Sequence, residues 1–307
     1  MSRLARSILA SCLLVAAYGP IRLARADTPA DVKDPVFSDY SLETDVGVYS
    51  DRRTRGVSDT FDRPGAQIEW TLAHASGLVG VVELGTVSKN EFLNGAGNTV
   101  LFAGGYRFGN PDGWHFGIGA AEELFPGARF SEPTGLSFGV DSATGNFTAI
   151  PVGFQQANFN TTYGLLEVGW GAIQGRIAQI WSPNYRGLNT GSVCPSFADP
   201  NAQLNCFLAG NRNTQGSFLF DVDYKQSIAP RTDLTLHVGY QRVKNFPQLN
   251  YPDFAIGVLY HRWNFDFSAQ FTTARTKEAD LFEVISSSGT VRQADSNALV
   301  LGISRKF

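Results

Sequence analysis

The sequence predicts an all-β protein, a transmembrane antiparallel up-and-down β-barrel of about 12 strands over residues 41–307. Three observations predict it. Apolar and polar residues alternate with period two through most of the chain, as strands with two unlike faces require. Connections between the alternating segments are long and short by turns, the pattern of a barrel with external loops on one side and tight periplasmic turns on the other. Gly 32 and Phe 23 against a single Met fit β structure in lipid better than a soluble core.

Taken in order, residues 1–26 (MSRLARSILASCLLVAAYGPIRLARA) carry Arg3 and Arg6, an apolar run from Ile8 to Tyr18 and the small-x-small Ala24-Arg25-Ala26. This is the order of a secretory signal peptide, and the run is too short to span a bilayer as a helix. Leu9–Cys12 resembles a lipoprotein box, but only about four apolar residues precede Cys12, short of the roughly 7 to 15 of an ordinary apolar core, so acylation is not expected. Residues 27–40 read as a periplasmic N-terminal extension.

Twelve strands follow, at 41–50, 65–75, 77–88, 98–108, 113–125, 159–169, 172–182, 215–227, 233–243, 252–262, 263–275 and 297–307. In WNFDFSAQFT, Trp263, Phe265, Phe267, Ala269 and Phe271 take one face, while Asn264, Asp266, Ser268 and Gln270 take the other. About ten residues at roughly 3.3 Å each, tilted by about 45°, cover an apolar band of about 25 Å. Phe108, Trp114, Trp170, Tyr260, Trp263 and Phe307 fall at strand ends on the short-turn side, where an interfacial aromatic girdle belongs.

The polar face supplies the candidate lumen. It presents Glu43, Asp45, Glu69, Glu83, Glu123, Glu167, Asp221, Asp223 and Asp266 against Arg107, Arg176, Lys225 and Arg242. Carboxylates outnumber cations, so an open lumen is expected to show a weak cation preference. The same residues could instead pair with one another and fill the interior. Arg52, Arg53 and Arg55 form an external-loop basic cluster with three readings: contact with lipopolysaccharide phosphates, one wall of a constriction, or a solvated loop. Gly56 beside them is expected to take a backbone conformation that other residues resist.

Cys194 and Cys206, the pair left after signal cleavage, are expected to form a disulfide closing a short loop rather than a metal site; neither metal nor cofactor is expected. His74, His115, His237 and His261 are scattered, none with a serine at a spacing that signals a dyad, and no G-x-S-x-G occurs, so an enzyme is not expected. Net charge of -3 offers nothing to nucleic acid. Leu299, Leu301, Ile303 and Phe307 share a face of the last strand. The terminal aromatic is expected to act as the signal by which the barrel assembly machinery recognises the C-terminal strand. Outer-membrane lipid and lipopolysaccharide are the other expected partners, and the oligomeric state stays open.

The segments TRGVSDTFDRPGAQIEWTLAHASGLVGVVELGTVS, ELFPGA, WSPNYRG, LTLHVGYQRV and YPDFAIGVLYHRWNFDFSAQFT resemble the TorF family of outer-membrane porins along most of the mature chain. The loops at 126–158 and 183–214 are longer than is usual there, and DRRTRG lacks an aromatic common before that Arg-Gly. The resemblance implies a porin-like channel of unassigned solute in the outer membrane of a Gram-negative bacterium. A non-conducting structural or adhesive barrel is the alternative, and a lipid-acting barrel enzyme comes after it.

Overall fold

The computed structural model describes residues 39–110, 113–140, 147–197 and 199–307. The segment assigned to a signal peptide, and all but the end of the 27–40 extension, lie outside the described residues.

Twelve antiparallel strands close into one barrel: β1 (Tyr40–Tyr49), β2 (Gly65–His74), β3 (Leu78–Thr86), β4 (Asn98–Gly109), β5 (Trp114–Leu124), β6 (Thr161–Trp170), β7 (Ile173–Ile180), β8 (Phe218–Ala229), β9 (Thr232–Arg242), β10 (Tyr251–Arg262), β11 (Phe265–Ala274) and β12 (Ala298–Lys306). Each pairs with its neighbours in sequence, and β12 closes onto β1. All twelve segments expected from alternation are present, with ends displaced by at most three residues.

Register is fixed by the alternation itself, because a one-residue slip would turn every apolar side chain toward the lumen. Pairing sets Asp45 opposite Glu69 and Glu69 opposite Glu83, and on the far wall Glu167 opposite Arg176 and Arg176 opposite Asp221. These side chains face inward. Leu42, Phe102, Ile118, Leu166, Val222, Ile256, Leu299 and Leu301 face outward and are exposed. The outward apolar belt is continuous around the barrel, far more than the few hundred Å² a soluble monomer ordinarily leaves in water. Phe108, Trp114, Trp170, Tyr260, Trp263 and Phe307 are all exposed at the short-turn rim, and Trp114 stacks on Trp170 with ring centroids 6.1 Å apart. Trp263 and Asn264 both have positive φ, 53° and 62°, the conformation of the two-residue turn whose twist matches its flanking strands.

One polar residue of the sequence pattern is displaced. Arg242, read as lumen-facing, pairs with Phe218 and is exposed on the outer face; Asp233, Thr235, His237, Gly239 and Gln241 are the inward residues of β9.

The long connections L1 (50–64), L2 (87–97), L3 (125–160), L4 (181–217), L5 (243–250) and L6 (275–297) gather at the other end, and they are not open coils. L3 carries a hairpin of Arg129–Val140 with Phe147–Asn158, and L4 carries helices α1 (Thr190–Val193) and α2 (Pro200–Leu208). Apolar side chains of these loops bury one another at the barrel mouth: Phe61, Tyr185, Leu188, Phe246, Leu249 and Phe282 are all buried in a single cluster with wall residues Tyr163, Leu219 and Tyr251. The main buried hydrophobic cluster of this barrel therefore lies among its long loops and the adjoining wall. Among the described residues, no helix is long and apolar enough to cross a membrane.

Candidate functional site

The interior is organised by L1, which turns into the barrel instead of away from it. Gly56 has φ +78° and packs against β11 so closely that an added Cβ would lie 2.8 Å from the backbone at Thr273 and Ala274. From this crossing segment the arginines reach different walls. Arg52 donates to Glu83 of β3 at 2.8 Å and to Asp59 at 3.1 Å. Arg55 reaches Asp221 of β8 at 2.5 Å and Asp253 of β10 at 3.0 Å. Arg53 stays within the loops, paired with Asp51 and with Asp62 at 2.7 Å, and bonded to the Gly56 carbonyl at 3.0 Å.

This geometry corrects two of the readings of Arg52, Arg53 and Arg55. They are neither a solvated cluster nor placed to meet lipopolysaccharide, since their side chains are 6%, 4% and 2% exposed; the carboxylates paired with Arg52 and Arg55 lie inside, and Arg53 is enclosed among Asp51, Asp62 and Ser296 of the loops. The physical reason is the ring of wall carboxylates: buried acids demand counter-charge, and the loop carries it in. A fourth arginine completes the arrangement. Arg186 of L4 is fully buried, pairs with Glu123 of β5 through two nitrogens, one at 2.9 Å, and lies 3.5 Å from Asp59; Tyr163 donates to the same Glu123 at 2.8 Å. Three loop arginines thus tie four walls of the mouth, at Glu83, Glu123, Asp221 and Asp253.

The remaining predicted lining residues fall into smaller groups. Arg107 pairs with Glu167 at 3.1 Å, and Arg176 sits between Glu167 and Asp221 in the register. Asp223 contacts His237 at 2.7 Å, whose other ring nitrogen lies 2.8 Å from Asp253. Lys225 pairs with Asp233 at 3.2 Å, and His261 bridges Asp233 at 3.1 Å and Asp266 at 2.6 Å. Near the short-turn end, Lys306 holds Glu43 and lies 3.9 Å from Asp45, while Glu69 accepts from Thr71 at 3.1 Å.

Burial sets the ionisation of the loop groups. Burial pushes Asp59 up to about 7, more than Arg186, Arg52 and the Thr54 hydrogen bond pull it down. Glu91 of L2, fully buried, is raised well above the carboxylate range by burial and by Asp59 and Asp51. For Arg55, burial opposes the charge, but Asp221 and Asp253 more than restore it.

Below L1 the barrel holds a cavity of about 350 Å³, bounded by Arg53, Arg55, Arg176, Asp223, Lys225 and His237. Its wall carries both signs of charge with glutamines between them. Arg186, Asp253, Asp233 and Lys306 belong to this interior and were absent from the sequence-based set. Asp253, Asp233 and Lys306 share the inward parity of their strands and were findable by strict alternation; Arg186 sits in a loop and gave no periodic signal.

Cys194 and Cys206 form a disulfide with Cα atoms 5.4 Å apart. No cluster suited to a metal occurs among the described residues. One histidine does meet a serine: His74 Nδ1 lies 2.7 Å from Ser76 Oγ. The same nitrogen also accepts the Ser76 backbone N–H at 3.1 Å, which makes the contact a closure of the short turn rather than a charge-relay arrangement.

A family model described as "Bacterial protein of unknown function (Gcw_chp)" matches residues 34–307. No curated protein matches the chain. Among solved structures, the chain is similar to the NanC porin (10% identity, TM-score 0.47, covering 87% of this chain and 100% of that one) and to the KdgM porin (6% identity, TM-score 0.44, 86% and 99%). It is also similar to the COG4313 outer membrane channel from Pseudomonas putida F1 (11% identity, TM-score 0.40, 91% and 100%).

Proposed function

The chain belongs to the Gcw_chp family, and from that premise and the interior of its barrel we propose that it is a porin-like channel of the outer membrane of a Gram-negative bacterium. It passes small hydrophilic solutes or ions by passive diffusion, with a weak cation preference. The observation that carries this reading is a closed barrel, apolar outside, whose interior holds a charged cavity of about 350 Å³ crossed by one inward loop. Ionisable groups facing a cavity are a composition that a selectivity lining uses. The export signal read at residues 1–26 and the resemblance to TorF porins support the same location and role. Cation preference rests on Glu43, Asp45, Glu69 and Asp266 toward the short-turn end, where Lys306 is the nearby lysine.

One observation favours a second reading, a non-conducting structural barrel: buried Tyr185, Leu188, Phe246 and Phe282 of the long loops pack together in one cluster at the mouth. Planar-bilayer recording of the refolded mature protein in a salt gradient separates the two. Discrete steps with a cation-biased reversal potential, enlarged when residues 52–63 are replaced by a short Gly/Ser linker, are expected of the channel. Silence from folded protein, before and after that replacement, favours the structural barrel.

A further inference from the structure

On the long-loop face, the L3 hairpin and the L4 insertion enclose a second cavity, of about 250 Å³. It is a built space. One wall is the hairpin strand Arg129–Val140; another is α1, whose Asn189 cap accepts the Ser192 N–H at 3.1 Å; the third is the end of α2, tied back by Cys194–Cys206.

Glu132 lines it and is only 2% exposed. Its two oxygens accept from Gln155 Nε2 at 2.6 Å and Asn189 Nδ2 at 2.7 Å. A carboxylate offers about four acceptor positions, so these two amides orient it and leave capacity for two more donors. Asn211 adds a further amide, and Pro133 and Phe207 supply an apolar surface beside the polar one.

The lining excludes several ligand classes. Its described residues include no Lys, Arg or His, and the buried carboxylate repels phosphates and carboxylates. An apolar ligand would strip water from Glu132 without replacing it. What matches is a compact ligand with several neutral O–H donors and one C–H-rich face. The volume lies under the roughly 300–1,000 Å³ of drug-sized sites, which limits the occupant to one ring. We propose that this cavity binds a single neutral hexose residue, with adjacent hydroxyls donating to Glu132 and the ring face against Pro133 and Phe207. The assignment does not depend on whether the lumen conducts.

The test is saturation-transfer NMR on the full mature chain in a detergent without a sugar head group, using methyl glucoside, methyl mannoside and methyl galactoside, with glucuronate and choline as charged comparators. At least one neutral glycoside is expected to receive saturation, and both charged probes are expected to bind at least tenfold more weakly. Thr134→Phe supplies the blocking variant, because Thr134 lines the cavity, is exposed and lies on the strand face of Glu132, two residues away. It is expected to abolish transfer while the barrel keeps its heat-modifiable migration; Glu132→Gln is expected to weaken binding at least tenfold. Overturning results are no transfer to any glycoside from folded protein, transfer unchanged in Thr134→Phe, or a charged probe binding as well as the best glycoside.

Discussion

At the scale of single residues, the carboxylates of the wall were legible and their partners were not. Glu83, Glu123 and Asp221 sit at inward positions that alternation alone assigns, whereas Arg52, Arg55 and Arg186 lie in segments without period, so nothing local tells whether they turn inward. Pairing follows from the cost of burying charge, which is visible only once the barrel is closed. Arg55→Ala leaves Asp221 and Asp253 buried without that cation, and breaking such a pair costs about 3–5 kcal/mol. The expected outcome is a lower urea midpoint and faster proteolytic nicking of L1; unchanged values would show that the latch contributes nothing. A pH dependence follows from Asp59, pushed up to about 7 by burial, and from Glu91, which burial also raises well above the carboxylate range. A carboxyl raised in the fold favours the protonated form, so its contribution is full below the unfolded value and lost as pH rises through about 7. L1 amides are thus expected to exchange hydrogen faster at about pH 8.5 than at about pH 5.5 once intrinsic rates are divided out, and Asp59→Asn is expected to flatten the difference.

Among elements, the strands were readable because lipid on one side and a polar lumen on the other impose a strict period of two, and the twelve segments expected from it are the twelve observed. The loops were not, since their structure answers to one another: the L3 hairpin packs against α1 and α2, and α1 is held by a capping box at Asn189 and Ser192. The cysteine pair was a loop feature with a sequence signal, even in number and close in spacing, as was Gly56 with its positive φ. Its bond closes a segment of sequence separation 12, for which chain entropy corresponds to about 3 kcal/mol. Reduction, or Cys194→Ser with Cys206→Ser, is expected to open L4 to trypsin near Arg212 while the barrel keeps its resistance to detergent. Loss of the whole barrel on reduction would instead mean that the L4 insertion supports the strands.

For the whole molecule, closure is the decisive step, because a barrel short of one seam exposes two sheet edges in a solvent that cannot satisfy them. The seam joins β1 to β12, and its last rung is made by the terminal residue: Phe307 donates its N–H to Thr44 O at 2.9 Å and accepts from Thr44 N at 3.2 Å. The ring itself stays outward, exposed at the short-turn rim with the Arg305 guanidinium 4.6 Å from its centroid. Backbone and side chain therefore carry separable roles. Phe307→Ala keeps both backbone bonds and removes only the ring, while deletion of Phe307 removes both. If the ring is the assembly signal, both variants are expected to accumulate in the periplasm, yet Phe307→Ala is expected to refold normally in detergent, where no assembly machinery acts. If closure is the whole contribution, the Ala variant inserts in cells like the native chain and the deletion alone fails, in cells and in detergent alike. Quantifying heat-modifiable barrel in outer-membrane fractions and in refolding reactions, variant by variant, distinguishes the two.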